Sequence, residues 1–287
     1  MEADVFDDRP CELGEGILWH PTRQQFFWFD IIGKRLLSRR RGEALHWAFD
    51  EHCSAAGWVD ASTLLIASET GLYRFDIDTG ARSLVQPLEA DTPETRSNDG
   101  RADPFGGFWI GTMGKAAEPR AGAIYRFYKG QLRRLFDQVS IPNAISFAPD
   151  GRTAYFCDTV RRRIMRQPLD DAGWPAGDPV VFVDLRDEGL NPDGAVVDAD
   201  GGLWNAQWGA ARVARYLPDG RFDRAVAVGG RHASCPAFGG PDLTTLFCTT
   251  ALEGLTAEAR AAAPLSGMTF AMPDVARGQA EHRVILS

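Results

Sequence analysis

A short strand-like segment recurs six times along the chain. Each copy is apolar, is rich in aromatic and β-branched residues, and follows a turn built from Gly, Pro, Asp or Asn. The central residues of the copies are Trp28, Leu65, Trp109, Tyr155, Trp204 and Phe247. The differences between these successive residue numbers are 37, 44, 46, 49 and 43. A period of about 40–50 residues with strand-type units is typical of a β-propeller.

The six repeats predict an all-β fold, a six-bladed β-propeller, with residues 1–287 forming a single domain. An N-terminal strand around Val5 and Phe6 and a C-terminal strand at 283–286 are expected to share the last blade. This arrangement would close the ring and remove two free sheet edges. The segment 252–263 is rich in Ala and Glu and predicts a short helix on a blade loop.

Charge and hydropathy exclude several classes of function. The net charge of −8 argues against a nucleic-acid partner, because phosphates need a basic surface. No apolar run approaches the roughly 20 residues of a membrane span. The acidic N-terminus lacks the basic and apolar regions of a signal peptide. We therefore expect a cytoplasmic protein with no membrane partner, present as a monomer or a small homo-oligomer.

Motifs for several kinds of chemistry are missing from the sequence. There is no G-x-S-x-G nucleophile motif, no Walker sequence and no dinucleotide fingerprint. The five cysteines are scattered, odd in number and without a C-x-x-C pair. The sequence therefore predicts neither a disulfide framework nor a dedicated zinc site.

Polar residues at the turns that enter the innermost strands are the first candidates for a functional site. In a propeller these turns meet at one mouth of the central channel. Three separate repeats place Glu15, Asn143 and Asp193 there. Two carboxylates and an amide suit a hard divalent cation such as Ca²⁺, Mg²⁺ or Mn²⁺. Each residue taken singly is explained as an ordinary turn or cap residue, but their shared position in the repeats favours a common site.

The third repeat contributes a second candidate group at the same mouth. Arg96 and Asn98 are suitable hydrogen-bond donors to a hydroxylated substrate, with Asp99 orienting them. Alternatively, Asn-Asp-Gly at 98–100 only forms a tight turn. The residues alone leave both interpretations open.

Six short motifs, taken together, resemble the senescence marker protein/gluconolactonase/regucalcin family. They are Leu-Gly-Glu-Gly-Ile-Leu-Trp (13–19), Ser-Asn-Asp-Gly-Arg-Ala-Asp-Pro (97–104), Phe-Trp-Ile-Gly-Thr-Met (108–113), Ile-Pro-Asn (141–143), Pro-Asp-Gly (192–194) and Phe-Gly-Gly-Pro-Asp (238–242). The resemblance runs from about residue 10 to the end of the chain. It implies a six-bladed propeller and a metal-dependent lactonase acting on gluconolactone, xylonolactone, arabinolactone or a related sugar lactone.

The resemblance also implies roles for individual residues. Glu15, Asn143 and Asp193 would hold one divalent metal ion, whether Ca, Mg, Mn, Zn or Fe. Asp193 would also be the catalytic acid/base, and Arg96 and Asn98 would bind substrate hydroxyls. The implied reaction is hydrolysis of an aldono- or aldarolactone to the open-chain sugar acid. Two alternatives are a metal-dependent esterase or phosphotriesterase and a non-catalytic, calcium-binding regulatory propeller.

One loop departs from the family pattern. After Gly-Thr-Met many relatives carry acidic residues, one of them a substrate contact, whereas here the loop contains Lys115, Glu118 and Arg120. The acidic contact is then lost or moved to Glu118. If Lys115 or Arg120 faces the mouth, the substrate is expected to carry an anionic group. The alternative is that both are solvated surface charges.

Overall fold

The computed structural model describes residues 3–286 as six four-stranded antiparallel sheets arranged in a ring. The predicted six-bladed β-propeller is confirmed. Each innermost strand contacts the innermost strands of both neighbouring blades, so that the ring is closed around a central channel. The innermost strands are β2 (Gly14–His20), β6 (Cys53–Asp60), β10 (Thr95–Ala102), β14 (Pro142–Phe147), β18 (Asn191–Val197) and β22 (His232–Gly239).

Three further strands complete each blade from the channel outwards. The second strands are β3 (Gln25–Asp30), β7 (Thr63–Ser68), β11 (Phe108–Gly114), β15 (Thr153–Asp158), β19 (Leu203–Trp208) and β23 (Thr245–Ala251). The third strands are β4 (Arg35–Arg40), β8 (Gly71–Asp76), β12 (Gly122–Tyr128), β16 (Arg163–Pro168), β20 (Arg212–Tyr216) and β24 (Thr269–Met272). The outermost strands are β5 (Glu43–Ala48), β9 (Arg82–Pro87), β13 (Gln131–Val139), β17 (Val180–Asp184), β21 (Phe222–Ala227) and β1 (Asp4–Asp7).

Helical structure is confined to two short segments of the described chain. They are the helix α1 (Ala257–Ala262) and a 3₁₀ turn (Thr159–Arg161). The helix is shorter than predicted, because Gly254 adopts a left-handed conformation and the chain becomes helical only after Thr256. The Thr256 hydroxyl accepts the Ala259 N–H and caps the helix. Among residues 3–286, no helix has the length and apolar character needed to cross a membrane.

The hydrophobic core is divided into six clusters, one between each pair of neighbouring blades. Between the first two blades, for example, Phe27 and Phe29 pack with Leu64 and Ile66. The recurring segments of the sequence are the second strands, which are buried on both faces. Their aromatic and β-branched residues fill the space between blades, and this explains why the repeat is visible in the sequence.

The C-terminal segment does not form the strand that the sequence predicts. The last blade already has four strands, with β1 paired to β24, and residues 283–286 are not assigned to a strand. The Val284 and Ile285 N–H groups instead donate to the carbonyls of Trp58 and Gly106 in the second and third blades. Val284 is fully buried in the cluster between those blades. The C-terminal part of the closure prediction is therefore wrong, because the tail finds its partners across the ring.

The same tail crosses one end of the channel. The Gln279 side-chain amide donates to the carbonyls of Phe147 and Val197, at the C-terminal ends of two innermost strands. Glu281 forms an ion pair with Arg101, near the end of a third innermost strand. The tail therefore covers the channel end opposite the starts of the innermost strands. The other end of the channel, where the innermost strands start, remains open for a binding site.

Candidate active site

All six innermost strands change register near their first residues. The shifts lie between residues 15 and 18, 53 and 55, 97 and 100, 143 and 146, 192 and 195, and 233 and 236. A β-bulge bends its strand and redirects the side chains beside it. The candidate residues therefore lie at bulges inside the strands, rather than on turns before the strands as the sequence suggested. Glu15 and Asn143 are the last paired residues before their bulges, whereas Asp193 lies one residue further along, inside its bulge.

The bulge in the first blade depends on a glycine. Gly16 follows Glu15 with a φ of +57°, in the left-handed region that non-glycine residues rarely adopt. A Cβ at this position would lie only 2.2 Å from the Ser54 carbonyl oxygen of the second blade. Ala144, after Asn143, is also left-handed at φ +60°. The residues after two of the proposed metal ligands thus share one unusual backbone conformation.

We expect Gly16→Ala to lower the free energy of unfolding by about 2–5 kcal/mol. The new Cβ would overlap the Ser54 carbonyl oxygen, and an alanine is also strained in the left-handed backbone conformation. Gly42→Ala is a matched control, since Gly42 has a φ of +85° but a Cβ added there would meet no atom within 4 Å. That variant should lose only about 1–2 kcal/mol. Urea unfolding of both variants measures the difference. Equal losses would show that the close approach to Ser54 is unimportant.

The five residues that the sequence predicted as a site line one cavity of about 370 Å³. They are Glu15, Arg96, Asn98, Asn143 and Asp193. They come from four different innermost strands and lie at the starts of those strands. The cavity therefore opens at the channel mouth that the C-terminal tail leaves uncovered.

Hydrogen bonds across three blades fix the orientation of the polar groups. The Arg96 guanidinium donates to Asn98 Oδ1 at 2.8 Å, and Asn98 Nδ2 donates to Asn143 Oδ1 at 3.1 Å. Asn143 Nδ2 donates to Thr159 Oγ1 at 2.9 Å, while the Thr159 hydroxyl donates to the Pro192 carbonyl. Because Thr159 uses its proton on Pro192, it can only accept from Asn143. The Asn143 amide oxygen is thereby kept on the side away from Thr159, where it can serve as a ligand.

Glu15 and Asp193 are buried carboxylic acids with strongly altered acidity. Burial, reinforced by the carboxylates of Asp193 and Asp99, raises the pKa of Glu15 well above its usual range. Burial and the neighbouring Asp99 carboxylate likewise raise the pKa of Asp193. Like charges held together out of water destabilise each other unless a cation compensates them. The electrostatics therefore match a site that receives a cation.

The donor set fits a hard divalent metal. Two carboxylates and one amide supply only oxygen atoms, which Ca²⁺, Mg²⁺ and Mn²⁺ prefer. Within the described part of the chain, no three His, Cys, Asp or Glu side chains form a metal cluster by themselves. The set is therefore complete only when the neutral Asn143 is included as the third member.

Asp99 does not orient Arg96 and Asn98 as the sequence predicted. Its carboxylate accepts the Ile145 N–H at 2.7 Å, and among the described residues it makes no hydrogen bond to the side chains of Arg96 or Asn98. Burial raises the pKa of Asp99 to about 6. The alternative of a tight turn at 98–100 is also wrong, since these residues lie within β10. Asp99 ties the third blade to the fourth instead of orienting the donors.

The chain also matches a known protein family over most of its length. The family is described as the SMP-30/gluconolactonase/LRE-like region, and the match covers residues 13–252. The chain belongs to this family. The resemblance inferred from the motifs is therefore confirmed.

Individual relatives cover nearly the whole chain. An L-arabinolactonase from Azospirillum brasilense is 36% identical over 277 residues, which are 94% of this chain and 91% of that protein. A 6-deoxy-6-sulfogluconolactonase from Pseudomonas putida is 34% identical over 270 residues, with 92% and 91% covered. The crystal structure of regucalcin from Agrobacterium tumefaciens, described as a calcium-binding protein, is 42% identical with a TM-score of 0.97. That similarity covers 99% of this chain and 97% of the regucalcin chain.

In this member of the SMP-30/gluconolactonase family, only one of the three charged loop residues reaches the cavity. Lys115 lines it and forms an ion pair with Glu69. Glu118 folds back on its own loop, where its carboxylate accepts the Ala116 N–H at 3.1 Å, and it does not line the cavity. The Arg120 guanidinium hydrogen-bonds to the Gln138 side chain, also outside the cavity. Of these three charged residues, Lys115 remains a candidate substrate contact.

The sequence interpretation missed part of the cavity wall. Thr159, Trp208 and Glu253 line the cavity, and they lie at or just after the ends of second strands. Second strands run antiparallel to innermost strands, so their ends reach the same channel mouth as the starts of the innermost strands. Lys115 follows β11 in the same way. Examining the residues after each second strand would have identified these positions.

Proposed function

We propose that this chain is a metal-dependent sugar lactonase that hydrolyses an aldonolactone to the open-chain sugar acid. The observation that carries the proposal is the convergence of Glu15, Asn143, Asp193, Arg96 and Asn98 on one cavity. This group combines an oxygen-rich metal site with hydrogen-bond donors suited to sugar hydroxyls. The L-arabinolactonase and sulfogluconolactonase relatives support lactone hydrolysis as the reaction class.

The residues of the cavity have separate roles in the proposed reaction. Glu15, Asn143 and Asp193 would hold the cation, which when bound supplies Lewis-acid polarisation of a carbonyl oxygen. Arg96 and Asn98 bind the hydroxyls and fix the lactone in the cavity. Asp193 accepts a proton from the water whose oxygen forms the new bond to the lactone carbonyl carbon. The bond from this carbon to the ring oxygen then breaks, and Asp193 returns the proton to the ring oxygen.

We further propose that the preferred lactone is neutral. Lys115 is paired with Glu69 and Arg120 lies outside the cavity, so neither offers a free positive charge to an anionic group. Among the described residues that line the cavity, the three carboxyl groups of Glu15, Asp193 and Glu253 outnumber the one cation without an ion pair, Arg96, so the lining disfavours a further anionic group. The net arrangement favours an uncharged polyol lactone over an aldarolactone.

A pH-drop assay with added divalent metal should show faster turnover of gluconolactone than of a glucarolactone. We expect kcat/KM to differ by about tenfold or more, the effect of one unfavourable charge contact of roughly 1.4 kcal/mol. A clear preference for glucarolactone would contradict the neutral-substrate proposal while leaving the lactonase proposal intact. Turnover of aryl esters or phosphotriesters without lactone turnover would favour the esterase alternative. Absence of turnover on every lactone with several metals would favour the non-catalytic alternative.

A further inference from the structure

Glu253 is a cavity residue without an assigned role. It follows β23 in the sixth blade and lines the same cavity as Arg96 and Asn98. Burial raises the pKa of Glu253, while the Arg96 guanidinium opposes this rise. Among residues 3–286, its carboxylate accepts no hydrogen bond from a protein group. The carboxylate is therefore available to a ligand in the cavity.

The backbone of Glu253 is held on both sides. Its N–H donates to the Glu12 carbonyl at 2.8 Å, and its carbonyl oxygen lies 3.0 Å from His232 Nδ1. A carbonyl oxygen only accepts, so His232 carries a proton on Nδ1. The His232 ring is stacked on Trp208, with the ring centroids 4.2 Å apart and the planes at 19°. The position of Glu253 is thus fixed by groups from three parts of the chain, unlike that of a surface carboxylate.

Arg96 supplies the complementary donors. Its Nη1 donates to the Ser97 carbonyl and to Asn98 Oδ1, whereas Nε and Nη2 have no hydrogen-bond partner in the described chain. Although Arg96 and Glu253 line the same cavity, the described structure contains no ion pair between them. A ligand group between them would have to accept from a guanidinium and donate to a carboxylate. A sugar hydroxyl does both.

We propose that Glu253 is a specificity-determining residue that accepts a hydrogen bond from a hydroxyl of the sugar lactone, with Arg96 donating to the same polyol. This proposal rests on the lactonase function proposed above. Glu253 supplies, from the sixth blade, the acidic substrate contact that Glu118 does not provide from its loop. It distinguishes lactones that carry hydroxyls from lactones that lack them.

The test compares D-glucono-1,5-lactone with unsubstituted δ-valerolactone as substrates of the metal-loaded protein. Glu253→Ala should raise the KM for gluconolactone about 10- to 100-fold, the effect of losing a hydrogen bond to a charged group. The change in kcat should be much smaller, and so should the effect on δ-valerolactone. Glu253→Gln should fall between the wild type and Glu253→Ala, because the amide oxygen still accepts. Glu118→Ala is the matched control, since it removes a carboxylate close to the cavity that does not line it.

The outcomes separate the two proposals. A raised KM confined to gluconolactone supports the specificity role. An unchanged KM for gluconolactone in Glu253→Ala, or equal losses on both lactones, overturns it. Wild-type protein that opens neither lactone would instead refute the lactonase function itself. Thermal unfolding of each variant detects a folding defect, which would lower activity on both substrates together.

Discussion

Asp193→Asn is expected to reduce lactone hydrolysis by at least about 10²–10⁴-fold in kcat/KM, with the protein still folded. The amide cannot accept the proton of the attacking water, which removes general acid/base catalysis. It also removes one of two charges from the proposed metal site. Since burial and Asp99 disfavour the charged form of Asp193, the neutral variant should be at least as stable as the metal-free wild type. Steady-state kinetics and thermal unfolding measure the two effects.

Asp150→Asn is a matched control for this prediction. Asp150 lies in the same tripeptide, Pro-Asp-Gly, but on an exposed turn between the first two strands of the fourth blade. Its carboxylate accepts the Arg152 N–H at 2.8 Å, which an amide oxygen can also do. Lactonase activity of this variant should therefore stay near that of the wild type. Activity near wild type in Asp193→Asn would refute the proposed catalytic role.

Metal binding can be measured without the reaction. A ligand that binds only the folded state raises the melting temperature, and at a given concentration the rise is larger the tighter it binds. Adding Ca²⁺ or Mn²⁺ should raise the melting temperature of the wild type more than that of Asp193→Asn or Glu15→Gln. An equal rise in all three proteins would show that the cation binds elsewhere.

Asp103→Asn is expected to lower the free energy of unfolding by about 3–5 kcal/mol, because it leaves a buried guanidinium without its counter-ion. The Asp103 carboxylate accepts from Arg126 Nε at 2.6 Å, and both side chains are 0% exposed. Arg126 is also enclosed by the rings of Tyr128 and Trp174, each 4.4 Å from the guanidinium carbon. No water can reach the positive charge to replace the lost partner. Urea unfolding gives the change directly.

The second blade provides the control for this experiment. Arg74 pairs with Leu65 across β8 and β7, as Arg126 pairs with Trp109 across β12 and β11. Its partner Asp60 is 3.8 Å away, and the Arg and Asp side chains are 55% and 41% exposed. Asp60→Asn should therefore lose no more than about 1 kcal/mol. Similar losses in the two variants would mean that burial does not determine the importance of these ion pairs.

Much of the cavity could be predicted because a propeller repeats one register. The distance from the second strands predicts that Glu15, Asn143 and Asp193 lie close together in three repeats. In the structure Glu15 and Asn143 share one register position, and Asp193 lies one residue further along its strand. Equivalent positions in a closed ring lie at the same height on the channel. The structure accordingly places all three in one cavity, although at bulges within the strands and not on turns.

Loop residues were less predictable, because no repeat determines their direction. Lys115, Glu118 and Arg120 belong to one short loop, yet only Lys115 lines the cavity. The Glu118 carboxylate accepts a hydrogen bond from the Ala116 N–H, and the Arg120 guanidinium donates one to the Gln138 side chain. These are local hydrogen bonds that hydrophobic periodicity does not encode. The acidic substrate contact that we propose therefore lies not on this loop but on the sixth blade, at Glu253.

The strand class, the number of blades and the end of the channel where the polar residues gather can all be read from the amino-acid sequence. These properties follow from a repeated pattern of buried strands and turns, which each unit carries locally. Two features become visible only in the folded chain: the C-terminal tail crosses the channel instead of joining the last blade, and Glu253 shares a cavity with Arg96. Both depend on hydrogen bonds between residues distant in sequence, such as Val284 with Trp58 and Glu253 with Glu12. Such contacts are selected by the closed ring as a whole, and no single repeat specifies them.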